Sequence, residues 1–251
     1  MEKVGFEHDY KNLLKDIMFH GSKEPNRTGI DAITLFGQEL KINLSNGLLP
    51  IVTGKQIFYK KAYHEFIWFV EGLTTINYLN QHNINWWNQY ADSRGNLGKT
   101  YGYQLRSYNG EFDQLDYVCK VLKQRSRRAH ITLWNPSELN ETALPCCYTG
   151  FTFVITDNKL NMSMQFRSSD AFLGLPYDII VGALLLKKVA DFSELELGEF
   201  KLNLENVHIY ENHIKQVKKY LSLPTYNLPN FNGTENIAYK HGPYIKAELN
   251  N

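Results

Sequence analysis

The chain has 251 residues, 43% of them hydrophobic and 14% aromatic, which is enough to bury a sizeable core and excludes a disordered polymer. Its formal net charge of +1 gives no general attraction to nucleic acid or to a membrane, so any anion site must be built locally. Three cysteines, two of them adjacent, make no disulfide framework, no apolar run is long enough to span a bilayer, and the charged start is unlike a signal peptide. A reducing cytoplasm is the expected compartment.

Phe6, Tyr10, Leu13, Leu14, Ile17 and Met18 recur at helical spacing, and Gly21 closes that helix. A turn-rich loop, Asn26 to Gly29, then carries Arg27; on spacing alone it is a solvated loop. Ile33 to Leu44 is predicted as strand, broken near Gly37, and Leu49 to Thr53 as another strand ending at Gly54-Lys55. Tyr59 to Val70 is predicted as a helix with Glu65 in its middle. A carboxylate among aromatics is costly unless hydrogen-bonded, so Glu65 lies either on a wet edge or in a functional cavity. A polar helix from Thr75 to Asn83 leads to Trp86-Trp87 and Tyr90, which are core residues or a stacking surface for a flat heterocycle. Tyr101-Gly102-Tyr103 follows a polar loop. Leu115 to Leu122 gives a helix with Cys119 as a small buried hydrophobe, and Arg125 to Arg128 puts three cations ahead of a strand at His130 to Trp134. Such a cluster is a solvated face or a phosphate grip.

The most informative stretch runs from Leu144 to Leu186. Cys146 and Cys147 stand in a Pro-flanked turn. Phe151, Phe153 and Ile155 alternate with polar residues, Asp157-Asn158 marks a turn, and Leu160, Met162, Met164 and Phe166 alternate again, which predicts a β-hairpin. Arg167, Ser168 and Asp170 follow it, then Gly174 to Pro176, then Tyr177-Asp178 at the mouth of an apolar helix, Ile179 to Val189. A thiol, a guanidinium, a hydroxyl and two carboxylates thus gather on strand ends and turns. Val207 to Tyr210 is predicted as a strand end and Asn212 to Leu221 as helix. No repeat or linker appears, so residues 1–251 are read as a single α+β domain.

Taken together, NRTG, HEFIWFVEG and SRR before Cys147 and RSSD, LGLPYDI, HIYENH and YKHG after it, in this order, closely resemble the thymidylate synthase family almost end to end. The resemblance implies a large mixed β-sheet packed against the sheet of a second subunit in a homodimer, with helices on the outer face. It also implies a chemistry, in which a thiolate adds to C6 of a pyrimidine deoxynucleotide monophosphate and C5 then takes the one-carbon unit of 5,10-methylenetetrahydrofolate; no metal is implied. By matching, Cys147 is the nucleophile, and Arg167 holds it as thiolate. Arg167, Arg27 and Ser168 bind the phosphate, with Arg127 and Arg128 reaching it from the other subunit. His208 and Tyr210 hold the deoxyribose hydroxyl, Glu65 organises proton-shuttling water, and Tyr101 lines the site near the departing C5 proton. Lys55, Trp87, Asp170 and Tyr239 of YKHG match folate contacts, Lys55 to the glutamate tail and Asp170 to the pterin.

Three departures from the family pattern stand out. Asp178 replaces the asparagine that reads uracil, a change that resembles the deoxycytidylate hydroxymethylases of T-even-like phages and points to cytosine, since a carboxylate accepts the amino proton. Tyr148 replaces the histidine after the nucleophile, and Thr152 a glutamine. The last residues are polar where the synthases carry an apolar tail that excludes water. The resulting expectation is hydroxymethylation of dCMP to supply a modified nucleotide for DNA, in host cytoplasm if phage-encoded. The alternatives are a C5 methyltransferase releasing dihydrofolate, from dUMP or dCMP, and a non-catalytic nucleotide or RNA-binding relative.

Overall fold

A computed structural model describes residues 5–250. Its elements in chain order are α1 (Phe6–His20), β1 (Ser22–Glu24), β2 (Ala32–Asn43), α2 (Tyr59–Val70), α3 (Asn77–Gln81), α4 (Tyr101–Arg106), α5 (Gln114–Lys123), β3 (His130–Thr132), β4 (Tyr148–Thr156), β5 (Lys159–Phe166), β6 (Ser169–Asp170), α6 (Leu175–Phe192), β7 (Glu196–Tyr210) and α7 (Ile214–Leu221). Together they form the expected α+β architecture around one mixed sheet.

The seven strands run in the order β1-β2-β7-β5-β4-β3, with β6 pairing β7. Pairing is antiparallel except where β5 and β6 meet β7, and α6 supplies the crossover that a parallel β5–β7 pair requires. The hairpin β4–β5 closes on Asp157 and Asn158, both at positive φ (48° and 58°), a conformation short polar side chains tolerate and tight hairpins need. Phe151 and Phe153 of β4, Leu160, Met162 and Met164 of β5, and Phe200 and Leu202 of β7 point to one face and are buried. Helix α6 covers that face so closely that a Cβ on Gly182 would strike Phe200 and Met164. Pro176 lies in its first turn, where a missing N–H costs nothing. The other face carries Asn161, Ser163, Gln165 and Asn203, with Phe36 80% and Val154 51% exposed.

Three predictions need correction. Strand β2 is not broken at Gly37; the residue takes φ +67° and the ladder to β7 resumes in register beyond it. Leu49 to Thr53 is not a strand, although it is fully buried. Buried Glu7 takes the place of a ladder there. Its carboxyl accepts from the Thr53 N–H (2.8 Å), the Gly54 N–H (2.7 Å) and the Tyr220 hydroxyl (2.7 Å). The end of the extended apolar run is satisfied by that carboxyl, and Leu49 N–H and Thr53 carbonyl pair with the Pro229 carbonyl and the Gly242 N–H of the C-terminal loops, so no neighbouring strand is needed. The polar helix expected over Thr75 to Asn83 shrinks to α3. Gly21 ends α1 in extended conformation (φ −73°), and a Cβ there would approach the Ile17 carbonyl at 2.5 Å, so crowding and not a left-handed turn calls for glycine.

Candidate active site

The pairing of β4 with β5 shifts register between Tyr148 and Gly150, which leaves Thr149 as one surplus residue. This bulge sets Tyr148 on the buried side with Phe151 and presents Cys147 at the strand's mouth. Gly150 is required at the bulge, because a Cβ would come 2.6 Å from the Ile131 carbonyl of β3.

Cys147 is partly exposed and has no disulfide partner. Its N–H donates to the Tyr101 hydroxyl oxygen at 2.6 Å, which leaves the phenolic proton for the sulfur. Arg167 donates from Nε to the Cys146 carbonyl (2.9 Å) and from Nη2 to the Pro145 carbonyl (2.7 Å), and its guanidinium lies 5.3 Å from the Trp134 ring. The cation is thus locked beside the nucleophile with its outer edge exposed. Burial nonetheless pushes the Cys147 thiol up and Asp178 adds to this, while Arg167, the Tyr101 hydrogen bond and Arg27 pull it down. Arg167 is thus one of three groups that favour the thiolate, and burial is the larger, opposing influence. Buried Cys146, pushed up to about 12 by burial, is structural.

Glu65 projects from α2 and is partly exposed. Its Oε1 accepts from Trp86 Nε1 (3.0 Å) and Trp87 Nε1 (2.6 Å), while its other oxygen takes no donor from the described residues. Burial raises the carboxyl's pKa and the two indoles lower it, with burial dominant. The role of Trp86 as a second donor was not legible in the sequence. Asp178 sits in the first turn of α6 and accepts no hydrogen bond from the described residues. Burial, then the nearby Glu65 and Asp170, push it well above the usual carboxylate range. Tyr148, 8% exposed, packs its ring 4.6 Å from Tyr101, and its hydroxyl feels both Asp178 and Glu65. Cys147, Tyr101, Glu65, Asp178 and Tyr148 thus form one electrostatically linked cluster.

The expected phosphate and sugar ligands divide. Arg27 is exposed on a loop fixed by Asn26, whose Oδ1 accepts from the Thr28 N–H and hydroxyl, and its charge reaches Cys147, Tyr90 and Tyr210. Ser168 follows Arg167 at the rim. His208 and Tyr210 end β7, with rings 5.0 Å apart. Arg127 and Arg128 lie elsewhere, in an exposed loop whose Arg125 donates to Asn158 at the hairpin turn (3.3 Å). That turn is the length of β4, nine residues, from Cys147, or about 30 Å at roughly 3.3 Å per residue.

The expected folate contacts divide as well. Asp170 Oδ1 accepts from the Phe172 and Leu173 N–H groups (2.9 and 3.1 Å). Trp87 packs edge-on to Tyr101. The Tyr239 hydroxyl is engaged by both the N–H and the carbonyl of Ile57 (2.9 and 2.6 Å) and serves here as a tie between segments. Lys55 is not part of that cluster: it is 4% exposed, and its ammonium turns inward to the Phe172 carbonyl (2.5 Å) and ring. Burial brings it down to about 7, against the pull of Asp170 and Glu7.

A thiol at a strand mouth with a locked guanidinium beside it and two carboxyls that burial favours in neutral form is a set of groups able to add sulfur to an electrophilic ring and to move protons around it. The sequence model of the family described as thymidylate synthase matches residues 8–244. A thymidylate synthase of Francisella philomiragia subsp. philomiragia is 36% identical over 271 aligned positions, covering 96% of this chain and 98% of that protein. The chain belongs to the thymidylate synthase family, whose members bind a pyrimidine nucleotide and methylenetetrahydrofolate for one-carbon transfer to C5 and are typically dimeric.

Proposed function

We propose that this member acts on deoxycytidylate, converting it with methylenetetrahydrofolate and water to 5-hydroxymethyl-dCMP and tetrahydrofolate. One feature carries the reading of the base, namely a carboxyl, Asp178, in the first turn of α6 with no hydrogen-bond donor among the described residues, where burial favours its neutral form. A protonated carboxyl donates through one oxygen and accepts through the other, so it can pair with N3 and the amino group of cytosine. Cytosine N3 is itself a base of roughly carboxylate strength, and a proton between it and Asp178 is stabilised from both ends.

The same protonation state supports a second reading. A neutral Asp178 can also donate to uracil O4 and accept from N3–H, which removes the acceptor-against-acceptor clash an ionised carboxylate would suffer. The Francisella philomiragia relative bears the name thymidylate synthase. Methylation of dUMP with release of dihydrofolate is accordingly the alternative. Uracil O4 is far less basic than cytosine N3, so the proton would rest on Asp178 alone and the pair would gain less.

In either reading Cys147 Sγ bonds to C6, Tyr101 hydrogen-bonds the sulfur, and Arg167, Arg27 and Ser168 face the phosphate. His208 and Tyr210 face the sugar. Methylenetetrahydrofolate supplies the one-carbon unit. Glu65, with one oxygen fixed by two indoles and the other free, is suited to relay protons through water. Asp170 and Trp87 are placed to receive the folate ring; Lys55 and Tyr239 would have to leave their present partners to do so. Arg127 and Arg128 can meet the same phosphate only from a second subunit, across the uncovered sheet face.

The test is turnover with dCMP and with dUMP, each with methylenetetrahydrofolate, the products resolved by mass. Hydroxymethyl-dCMP without dihydrofolate is the expected result. Methyl-dCMP would keep the base and overturn the role of water, and thymidylate from dUMP would establish the alternative. Asp178→Asn is expected to shift the dCMP-to-dUMP ratio of kcat/KM toward uracil by tenfold or more, a difference of about 1.4 kcal/mol.

A further inference from the structure

Two indole N–H groups converge on a single oxygen of Glu65. Trp86 Nε1 donates to Oε1 at 3.0 Å, and Trp87 Nε1 donates to the same atom at 2.6 Å. The Trp87 ring is anchored among Trp68 (5.5 Å), Tyr90 (6.0 Å) and Tyr101 (5.8 Å). The Trp86 ring is held elsewhere, against Tyr177 (5.7 Å), with the Lys61 ammonium 5.7 Å from its centre. Each donor therefore reaches the carboxyl from its own support.

An indole N–H donates and never accepts. With both aimed at Oε1, a protonated Glu65 carries its proton on Oε2, the oxygen that takes no donor from the described residues. One indole alone would enforce this weakly. A carboxyl with a single donor exchanges its two oxygens, by rotation about its last bond, at the expense of one hydrogen bond. Here the same rotation breaks two, and each is stronger when the acceptor is charged. We propose that Trp86 is a positioning residue for proton transfer, whose N–H, added to that of Trp87, makes Glu65 a one-sided proton carrier working through Oε2 alone. The titratable groups within electrostatic reach of Glu65 are Asp178 and Tyr177 of α6 and Tyr148 of β4. The inference rests on the reading of Glu65 as a relay, and it adds a residue and a direction that reading does not contain.

Trp86→Phe keeps an aromatic ring between Tyr177 and Lys61 and removes the N–H. The test follows the hydrogen at C5 of the nucleotide instead of the product. When sulfur adds to C6, C5 takes a deuteron from heavy water. Loss of the original C5 proton and expulsion of the sulfur then return the nucleotide carrying deuterium, with no oxidant or reductant involved. Exchange into dCMP and dUMP would be read by mass across pH, with and without tetrahydrofolate, which carries no one-carbon unit. In Trp86→Phe the rate is expected to fall at least fivefold in both conditions. Its acid limb should move up in pH, because the lost N–H favours the ionised carboxylate. An unmoved acid limb would overturn the proposal, and a loss confined to samples with tetrahydrofolate would do so too, making Trp86 a folate contact. Indole nitrogen NMR of the unmodified protein gives a second measure that does not depend on how the variant folds. The Nε1–H signals of Trp86 and Trp87 should titrate with one shared midpoint, while that of Trp68, which donates to the Thr75 carbonyl (3.0 Å), should not follow it. A Trp86 signal that stays still while that of Trp87 moves overturns this inference alone. Absence of exchange in the unmodified protein would overturn the relay reading of Glu65 and this inference together.

Discussion

At Cys147, three groups that favour thiolate are set against burial and one neighbouring acid, and burial prevails. The sign of the pH dependence follows. Alkylation by iodoacetamide proceeds through the thiolate, so its rate in the unliganded enzyme should rise with pH and reach half-maximum above the value of an ordinary exposed thiol. Tyr101→Phe removes a hydrogen bond that lowers the thiol's pKa, and should move the midpoint further up; a downward shift would mean that the phenol does not act on the sulfur. Asp178 and Glu65 have the same character. Each is a carboxyl that burial drives toward the neutral form, and the two lie within electrostatic reach of Tyr148. The sequence displayed these residues but not their protonation. It suggested Asp178 as a filter for cytosine that accepts the amino proton and, with one proton shared, also satisfies N3; a neutral carboxyl makes that filter a graded one.

Among the elements, the hairpin and α6 were legible because their patterns are strong: period-two alternation on either side of Asp157-Asn158, and a long apolar run opened by Pro176. Leu49 to Thr53 had the composition of a strand, and what misled is that burial by loops with a carboxyl as hydrogen-bond partner leaves the same apolar signature. Glu7 is the residue responsible, and nothing in its helical context marked it. Lys55 was placed by resemblance, and motif matching carries no information on which way a long side chain turns. The close approaches also escaped notice. Gly182 on the sheet-facing side of α6 and Gly150 at the bulge should each resist alanine, with a loss of about 1–3 kcal/mol from overpacking. Urea denaturation would show this as a lower midpoint at unchanged slope, and a midpoint within error of the parent's would mean the backbone gives way at little cost.

On the scale of the whole molecule, the proposed phosphate ligands lie at both ends of the sheet. Cys147, Arg167 and Arg27 are at one end of the β4–β5 hairpin, and Arg127 and Arg128 beyond the other. The face between them carries exposed Phe36 and Val154. A two-fold dimer through that face would bring one subunit's distal arginines to the other's thiol, and each site would be built from two chains. Mixing Cys147→Ala subunits with Arg127→Ala subunits, each nearly inactive alone, should then restore about a quarter of the activity, because half the random dimers are mixed and each holds one complete site. No recovery after verified subunit exchange would return every ligand of the phosphate to a single chain.

The surplus residue at Thr149 has a further consequence for how the gene can change length. Because side chains in a strand alternate between faces, removing that one residue would turn Tyr148 to the opposite side of the sheet and carry Cys147 out of register with Tyr101 and Arg167. The turn at Asp157-Asn158 lies beyond the last paired residues, and an insertion there would leave every pairing intact. Within one hairpin the chain therefore keeps an inflexible count at one end and a free one at the other, and frame-preserving insertions that spare the thiol have to accumulate on the side away from it.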